Sequence, residues 1–416
     1  MNTTNSNVPR LRFPGFTDAW EQRKLGEVSE IKTGPFGSTL HAEDYVENGE
    51  PIITTEHFKS GSLPRDKTNI PQVSNKDYIK LKSYVLKVGD IVFSRVGSVD
   101  INALVSLENK GWLFSGRVLR VRPAPIIKSE FLHYELGTTR VRNNVISRAV
   151  GQTMPSINTE ILQDTFICSP RTLEEQTAIG NFFRRLDEAI ATHQRKLERV
   201  KELKKSLLQK MFPRDGKAFP ELRFPNFTDA WEQRKLGEIG NYFYGGGTPN
   251  TKNKSFWNGD IPWLQSSDLA DDRVLDTFPR KYISEVGLNN SATKLIPKNS
   301  IAIVTRVGVG KVSFITYPYT TSQDFLSISE LKVSELFGIY AISNLMKKES
   351  KSAQGTSIKG VTKNEVLDKL ISIPSLKEQT AIGNFFRRLD EAIATHQRKL
   401  EHMQTLKKGL LQQMFV

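Results

Sequence analysis

Arg95, Arg117 and Arg148 stand at or beside turns with Gln152 and Thr153, and Lys252, Lys254, Arg306, Lys311, Gln354, Thr356 and Lys359 do so later in the chain. Guanidinium and amide groups on loops can pair with the edges of bases, while other lysines and arginines neutralise phosphates without reading sequence. Taken singly, such a side chain is more often a solvated surface residue. Arg95 and Arg306 weigh more, because an Arg-Val-Gly triplet recurs at 95–97 and 306–308 where the surroundings have diverged. The competing reading of that triplet is a shared strand-end turn that needs its glycine, Gly97 or Gly308.

Other chemistries lack their residues. Gly310-Lys311 has neither the upstream glycine nor the following hydroxyl of a phosphate-binding loop. The glycine-rich run 244–249 ends in Thr-Pro and reads as a turn. No G-x-G-x-x-G follows a strand, and the Asn/Asp-Pro-Pro-aromatic motif of an amino-methyltransferase is missing. The six histidines, His41, His57, His133, His193, His396 and His402, show no metal-ligand spacing, and Asp271-Asp272 reads as a solvated loop. One cysteine, Cys168, excludes an internal disulfide and a multi-cysteine zinc site. We expect no catalytic residue, no metal site and no cofactor in this chain.

The 416 residues carry 59 Lys+Arg against 45 Asp+Glu, a net charge of +14, which points to a polyanionic partner. Nucleic acid ranks ahead of an anionic membrane surface, since no apolar run reaches the roughly 18 residues of a membrane span. The opening MNTTNSNVPRLRF lacks the apolar stretch of a signal peptide, and a lone cysteine suits a reducing cytoplasm.

Internal repeats set the architecture. LRFPGFTDAWEQRKLGE at 11–27 returns at 222–238 with one change, Gly15 to Asn226. EQTAIGNFFRRLDEAIATHQRKLE at 175–198 returns unchanged at 378–401. Two copies make a pseudo-dimer on one chain: in each half a fixed opening segment, a variable body of short β-like runs, then a fixed helix. Thr172 with Glu175, and Ser375 with Glu378, read as capping boxes. The first helix then presents Ile179, Phe183, Leu186, Ile190, His193, Leu197 and Val200 at heptad spacing, interrupted at Lys204. The second presents Ile382, Phe386, Leu389, Ile393, His396, Leu400 and Met403, interrupted at Lys407. About 40 residues make a rod of roughly 60 Å, and antiparallel pairing of the two rods is expected. The outward residues are identical as well, including Asn181, Arg184, Arg185, Asp187 and Glu188, with Asn384, Arg387 and Arg388 in the second copy. That identity suits two equivalent surfaces docking two copies of one partner, with recent duplication alone as the competing explanation.

With its doubled opening segments, divergent bodies and doubled helices, the whole chain resembles the specificity subunit of a type I restriction–modification system. The resemblance implies an α+β / α/β fold: two target recognition domains separated by two long helices forming an antiparallel coiled coil about a pseudo-twofold axis. It places domain boundaries at 1–170, 171–213 for the first helix, a linker at 214–221, 222–374, and 375–416 for the second helix. It implies that each domain reads one half of a bipartite, asymmetric site in double-stranded DNA. Two modification subunits would dock on the helices and carry S-adenosylmethionine for adenine methylation; two restriction subunits would add ATP- and Mg-dependent cleavage. The chain itself would be non-catalytic and cytoplasmic. A self-sufficient restriction–methylation enzyme would need motifs that are missing, and a purely structural coiled-coil adaptor would not need the net charge of +14.

Overall fold

The computed structural model describes residues 7–35, 44–214, 216–353 and 360–416. The chain divides into two compact units, Met1–His193 with Lys399–Val416, and Gln194–Arg398.

In the first unit, Ile91–Ser94 is the apolar run that both layers bury. Its alternation sends Ile91 and Phe93 into one core and Val92 into another, as period-two geometry requires. It lies in an antiparallel sheet of order Ser29–Thr33, Val118–Pro123, Ile91–Ser94, Asn102–Leu104. A second small sheet runs Tyr45–Val46, Gln72–Val73, Glu50–Ile53, Leu113–Phe114, with the last pair parallel. The second unit repeats the scheme with a different sequence. Its antiparallel sheet runs Gly240–Gly245, Phe325–Leu331, Ser300–Val304, Val312–Ile315. There Ile301 and Ile303 face one core while Ala302 and Val304 face the other. The main sheets of the two divergent bodies therefore share one topology, whereas the small sheet has four described strands in the first unit and three, Lys281–Ile283, Ile261–Leu264 and Thr320–Thr321, in the second.

The repeated segments hold each unit together. Glu21–Lys24 pairs antiparallel with Phe166–Ser169, and Glu232–Lys235 pairs with Leu370–Ile373 in the same way. Arg12 donates from Nε and Nη2, each at 2.7 Å, to the carboxylate of Glu175; Arg223 does the same to Glu378. Both carboxylates are buried. Half of the expected capping box is present at the first helix, where the Thr172 hydroxyl accepts from the Glu175 N–H at 3.4 Å, but the carboxylates of Glu175 and Glu378 each go to an arginine from the opening segment. The Gln176 side chain accepts from the Lys128 backbone N–H and donates to the Pro170 carbonyl; Gln379 serves Ser334 and Pro374 alike. A Cβ on Gly180 would lie 2.8 Å from Glu130 Cβ, and one on Gly383 2.7 Å from Leu336 Cβ, so glycine lets a body helix touch the long helix.

The long helices run Leu173–Lys210 and Leu376–Met414. Within the first unit, Phe183 meets Phe415 and Asp187 meets Lys407; within the second, Phe212 meets Phe386 and Lys204 meets Asp390. In both units the residue number rises along one helix as it falls along the other, so the pairing is antiparallel. Phe183 and Phe386 sit in the cores of their own units, beside Tyr134 and Tyr340. Leu197 and Leu400 are buried; Leu186, Ile190, His193, Leu389, Ile393 and His396 are half-buried. Lys204 and Lys407 fill their breaks in the seam: each pairs with an aspartate of the facing helix and lies over a tyrosine ring, at 5.5 Å from Tyr340 and 5.4 Å from Tyr134. The same tyrosines donate to those aspartates, Tyr134 to Asp187 at 2.8 Å and Tyr340 to Asp390 at 2.6 Å. Asp187, read as an outward residue, is thus turned to an internal partner.

Two neighbours in the first unit oppose each other in pH dependence. Burial pushes the Glu135 carboxyl up from its ordinary 4.5 to about 7, although Arg140 and the Cys168 N–H bond it. Burial lowers His133, bonded to Asn102, from 6.5 to about 4. The folded state holds a proton on Glu135 that the unfolded state releases, so this contribution is full below pH 4.5 and is lost as pH rises through 7. The folded state keeps His133 neutral, so its contribution is full above pH 6.5 and is lost as pH falls toward 4. Between 4.5 and 6.5 the two slopes cancel in part. His133→Asn is expected to uncover a first-unit stability that rises on acidification, by up to about 1.4 kcal/mol per pH unit. Glu135→Gln is expected to uncover the reverse, and urea unfolding across this range distinguishes them.

Candidate nucleic-acid interface

In each unit the sequence brings an arginine-bearing turn to the end of the central strand, and a distant loop returns to meet it. Gly97 and Gly308 adopt φ of 85° and 90°, the left-handed conformation that glycine takes without strain, so the turn reading of the triplet holds at both. In the first unit the Gly97 N–H donates to the Pro155 carbonyl at 2.8 Å and Ile157 N–H to the Arg95 carbonyl at 2.9 Å. The Arg95 N–H reaches the Arg117 carbonyl, and Val150 and Ser156 close the loop that displays Gln152 and Thr153. In the second unit Val361 N–H donates to the Thr305 carbonyl at 2.7 Å, bringing the chain after residue 359 to the same place. Gln354, Thr356 and Lys359 lie outside the described residues.

The two arginines of the repeated triplet do different things. Arg95 is half-buried, and its guanidinium donates to the Gly116 carbonyl at 2.8 Å and the Ile157 carbonyl at 3.3 Å, fastening the turn to its neighbours. Arg306 is exposed and makes no hydrogen bond or ion pair with a described residue. It lines a cleft of about 610 Å³ with Gly245, Gly246, Gln323, Gly360 and Lys363. Arg117, Gln152 and Thr153 are exposed. Arg148 is occupied by Asn144 and the Thr165 hydroxyl. Lys252 and Lys254 are exposed on a turn that follows the cleft glycines, and Lys311 is tied to the Leu269 carbonyl and lies 3.6 Å from Asp271. Gln323 and Lys363 were not singled out by sequence. They reach the cleft through pairings across the body, Gln323 accepting from Thr248 and Lys363 donating to the Phe243 carbonyl. Among the described residues no group of His, Cys, Asp and Glu could hold a metal ion, and no helix is long and apolar enough to cross a membrane.

Two units of one topology, each gathering polar and basic loops at the end of its central strand, make a duplicated binding module. The family model described as the type I restriction modification DNA specificity domain matches residues 17–202 and again 228–404, so the chain belongs to the type I restriction–modification specificity subunits. The type I restriction enzyme MjaVIII specificity subunit of Methanocaldococcus jannaschii is 24% identical over 420 residues, covering 96% of this chain and 92% of that protein. The EcoR124I/EcoR124II specificity subunit of Escherichia coli is 33% identical over 169 residues, 38% of this chain and 41% of its own length. The crystal structure of a type I restriction–modification S subunit from M. genitalium shares the fold, with a TM-score of 0.63 at 15% identity over 98% of this chain and 99% of that one. As a specificity subunit, the chain works in a complex with DNA and other subunits.

Proposed function

We propose that each unit reads one half of a bipartite, asymmetric duplex target. The observation that carries this reading is the repeated convergence of the 95–97 and 306–308 turns with the loops that return to them, in bodies that share topology and differ in sequence. Arg306, Lys252, Lys254, Gln354, Thr356 and Lys359 would serve one half-site, with Gly308 shaping the turn and Lys311 close by. Arg117, Gln152 and Thr153 would serve the other, on a turn set by Gly97 and fastened by Arg95 and Arg148. The recognition domains would span 1–170 and 222–374. The outward faces of the helices, at Asn181, Arg184 and Arg185 and again at Asn384, Arg387 and Arg388, would dock two modification subunits. All four of those arginines are exposed. S-adenosylmethionine, ATP and Mg would belong to the modification and restriction subunits, leaving this chain non-catalytic, in the cytoplasm.

The test is Arg306→Ala in the assembled complex, with methylation rates measured on targets varied in one half-site at a time. Discrimination at one half-site is expected to relax by about 1–3 kcal/mol, the worth of a bidentate base contact. An equal loss on every sequence would make Arg306 a phosphate contact, and unchanged discrimination would remove it from the interface. Arg95→Ala, which frees two backbone carbonyls, is expected to weaken the whole half-site together.

A further inference from the structure

The turn that carries Arg306 has a second side. Arg306 and Val307 line the cleft, whereas Val309 and Gly310 line a separate groove of about 930 Å³ within the second unit. One wall of this groove is the stretch 201–214 that ends the first long helix, and another is the stretch 344–350 of the helix Glu335–Ala353. Lys201, Lys205, Lys347 and Lys348 line it. Lys204 also lines it, but its charge is already matched by Asp390. Glu202, Asp271 and Asp272 add acidic character, Lys201 pairs with Glu198 at 3.5 Å, and Asp271 lies 3.6 Å from Lys311. Neither Lys205 nor Lys347 makes an ion pair with a described residue, and Lys347 is half-buried.

The first unit carries the equivalent groove between Gly137–Arg142 and the end of the second long helix, at Lys407, Lys408 and Leu411. There Arg140 is answered by Glu135, Arg142 by Asp100 and Lys407 by Asp187, while Lys408, the repeat counterpart of Lys205, makes no ion pair with a described residue. Lys205 and Lys408 are thus alike, and the second groove adds Lys347. Two ammonium groups that make no ion pair, one of them half-buried and only partly offset by Asp271, Asp272 and Asp390, favour an anion supplied from outside.

We propose that the lysine groove of the second unit holds the phosphate backbone of duplex DNA next to the half-site that the Arg306 cleft reads. This rests on the reading of that cleft as a DNA interface. A single turn, residues 306–310, borders both surfaces. Burial and the adjacent Lys204 ammonium push Lys347 below its ordinary 10.5, as expected of a cation whose countercharge comes from a ligand. An acidic surface of a partner protein is the competing occupant. Phosphate is favoured because the groove shares the 306–310 turn with the cleft read above as the DNA interface.

The experiment uses the assembled complex with Lys205→Ala and Lys347→Ala combined, and with a charge-retaining pair, Lys205→Arg with Lys347→Arg. Affinity for a short duplex lacking the target is measured against salt. Each phosphate contact contributes about 0.9 to the slope of log K on log salt, so the alanine pair should lower the slope by about 1.8 and the arginine pair should restore it. Discrimination between half-site variants should stay at the parent value. An unchanged slope with parental discrimination would overturn the groove and leave the half-site reading standing. An unchanged slope with loss of the partner subunits on size-exclusion chromatography would overturn it in favour of a protein occupant. Failure of the half-site reading would show separately, as unaltered discrimination in Arg306→Ala.

Discussion

Arg12→Ala is expected to destabilise the first unit by about 3–5 kcal/mol, because it leaves a buried, ionised Glu175 without its counterion. Both charges are withdrawn from water, with side-chain exposures of 11% and 2%, so solvent screening does little to soften the loss. Arg12 is held above its usual range mainly by the hydrogen bonds to Glu175. Arg223→Ala should do the same to the second unit through Glu378. Native-state hydrogen exchange separates the two: Arg12→Ala should lower protection in Met1–His193 and Lys399–Val416 and spare Gln194–Arg398, and Arg223→Ala the reverse. Uniform loss of protection in both variants would mean that the units do not unfold separately.

Lys204→Ala should cost the second unit about 3 kcal/mol or more, by stranding Asp390 beneath Tyr340. The comparison variant replaces the whole polar group, Lys204→Met with Asp390→Leu and Tyr340→Phe. Replacing a buried ion pair with apolar side chains of similar volume is often neutral or stabilising, so this triple variant should recover most of the lost stability. Chemical denaturation of the three proteins measures it. A triple variant as unstable as Lys204→Ala would show that the charge pair itself holds the helices in register.

The repeats disclosed much of this in advance. The first helix was expected from Thr172 onward and spans Leu173–Lys210, because capping residues and a 3.6-residue apolar period are local signals. Partners across the chain left no such signal. Glu175 finds Arg12 at a separation of 163 residues, so a local motif made it a capping-box residue. Lys204 and Lys407 looked like faults in the seam because the aspartates that answer them lie on the other helix. Strands of two residues, such as Tyr45–Val46 and Thr320–Thr321, are too short to show a period. Most telling is the Arg-Val-Gly triplet. Its glycine behaves identically in both units, as a backbone requirement must. Its arginine does not, because the carbonyls of Gly116 and Ile157 that capture Arg95 belong to the divergent body.

Exchange of residues 28–168 for the corresponding body of another type I specificity subunit, followed by genome-wide mapping of methylated adenines, tests the central proposal most directly. If each unit reads its own half of the target, the half-site read by the first unit changes to that of the donor. The second half-site and the number of base pairs between the two stay as in the parent. A change in both half-sites, or in neither, from a complex that still methylates DNA would contradict the assignment of one half-site to each unit.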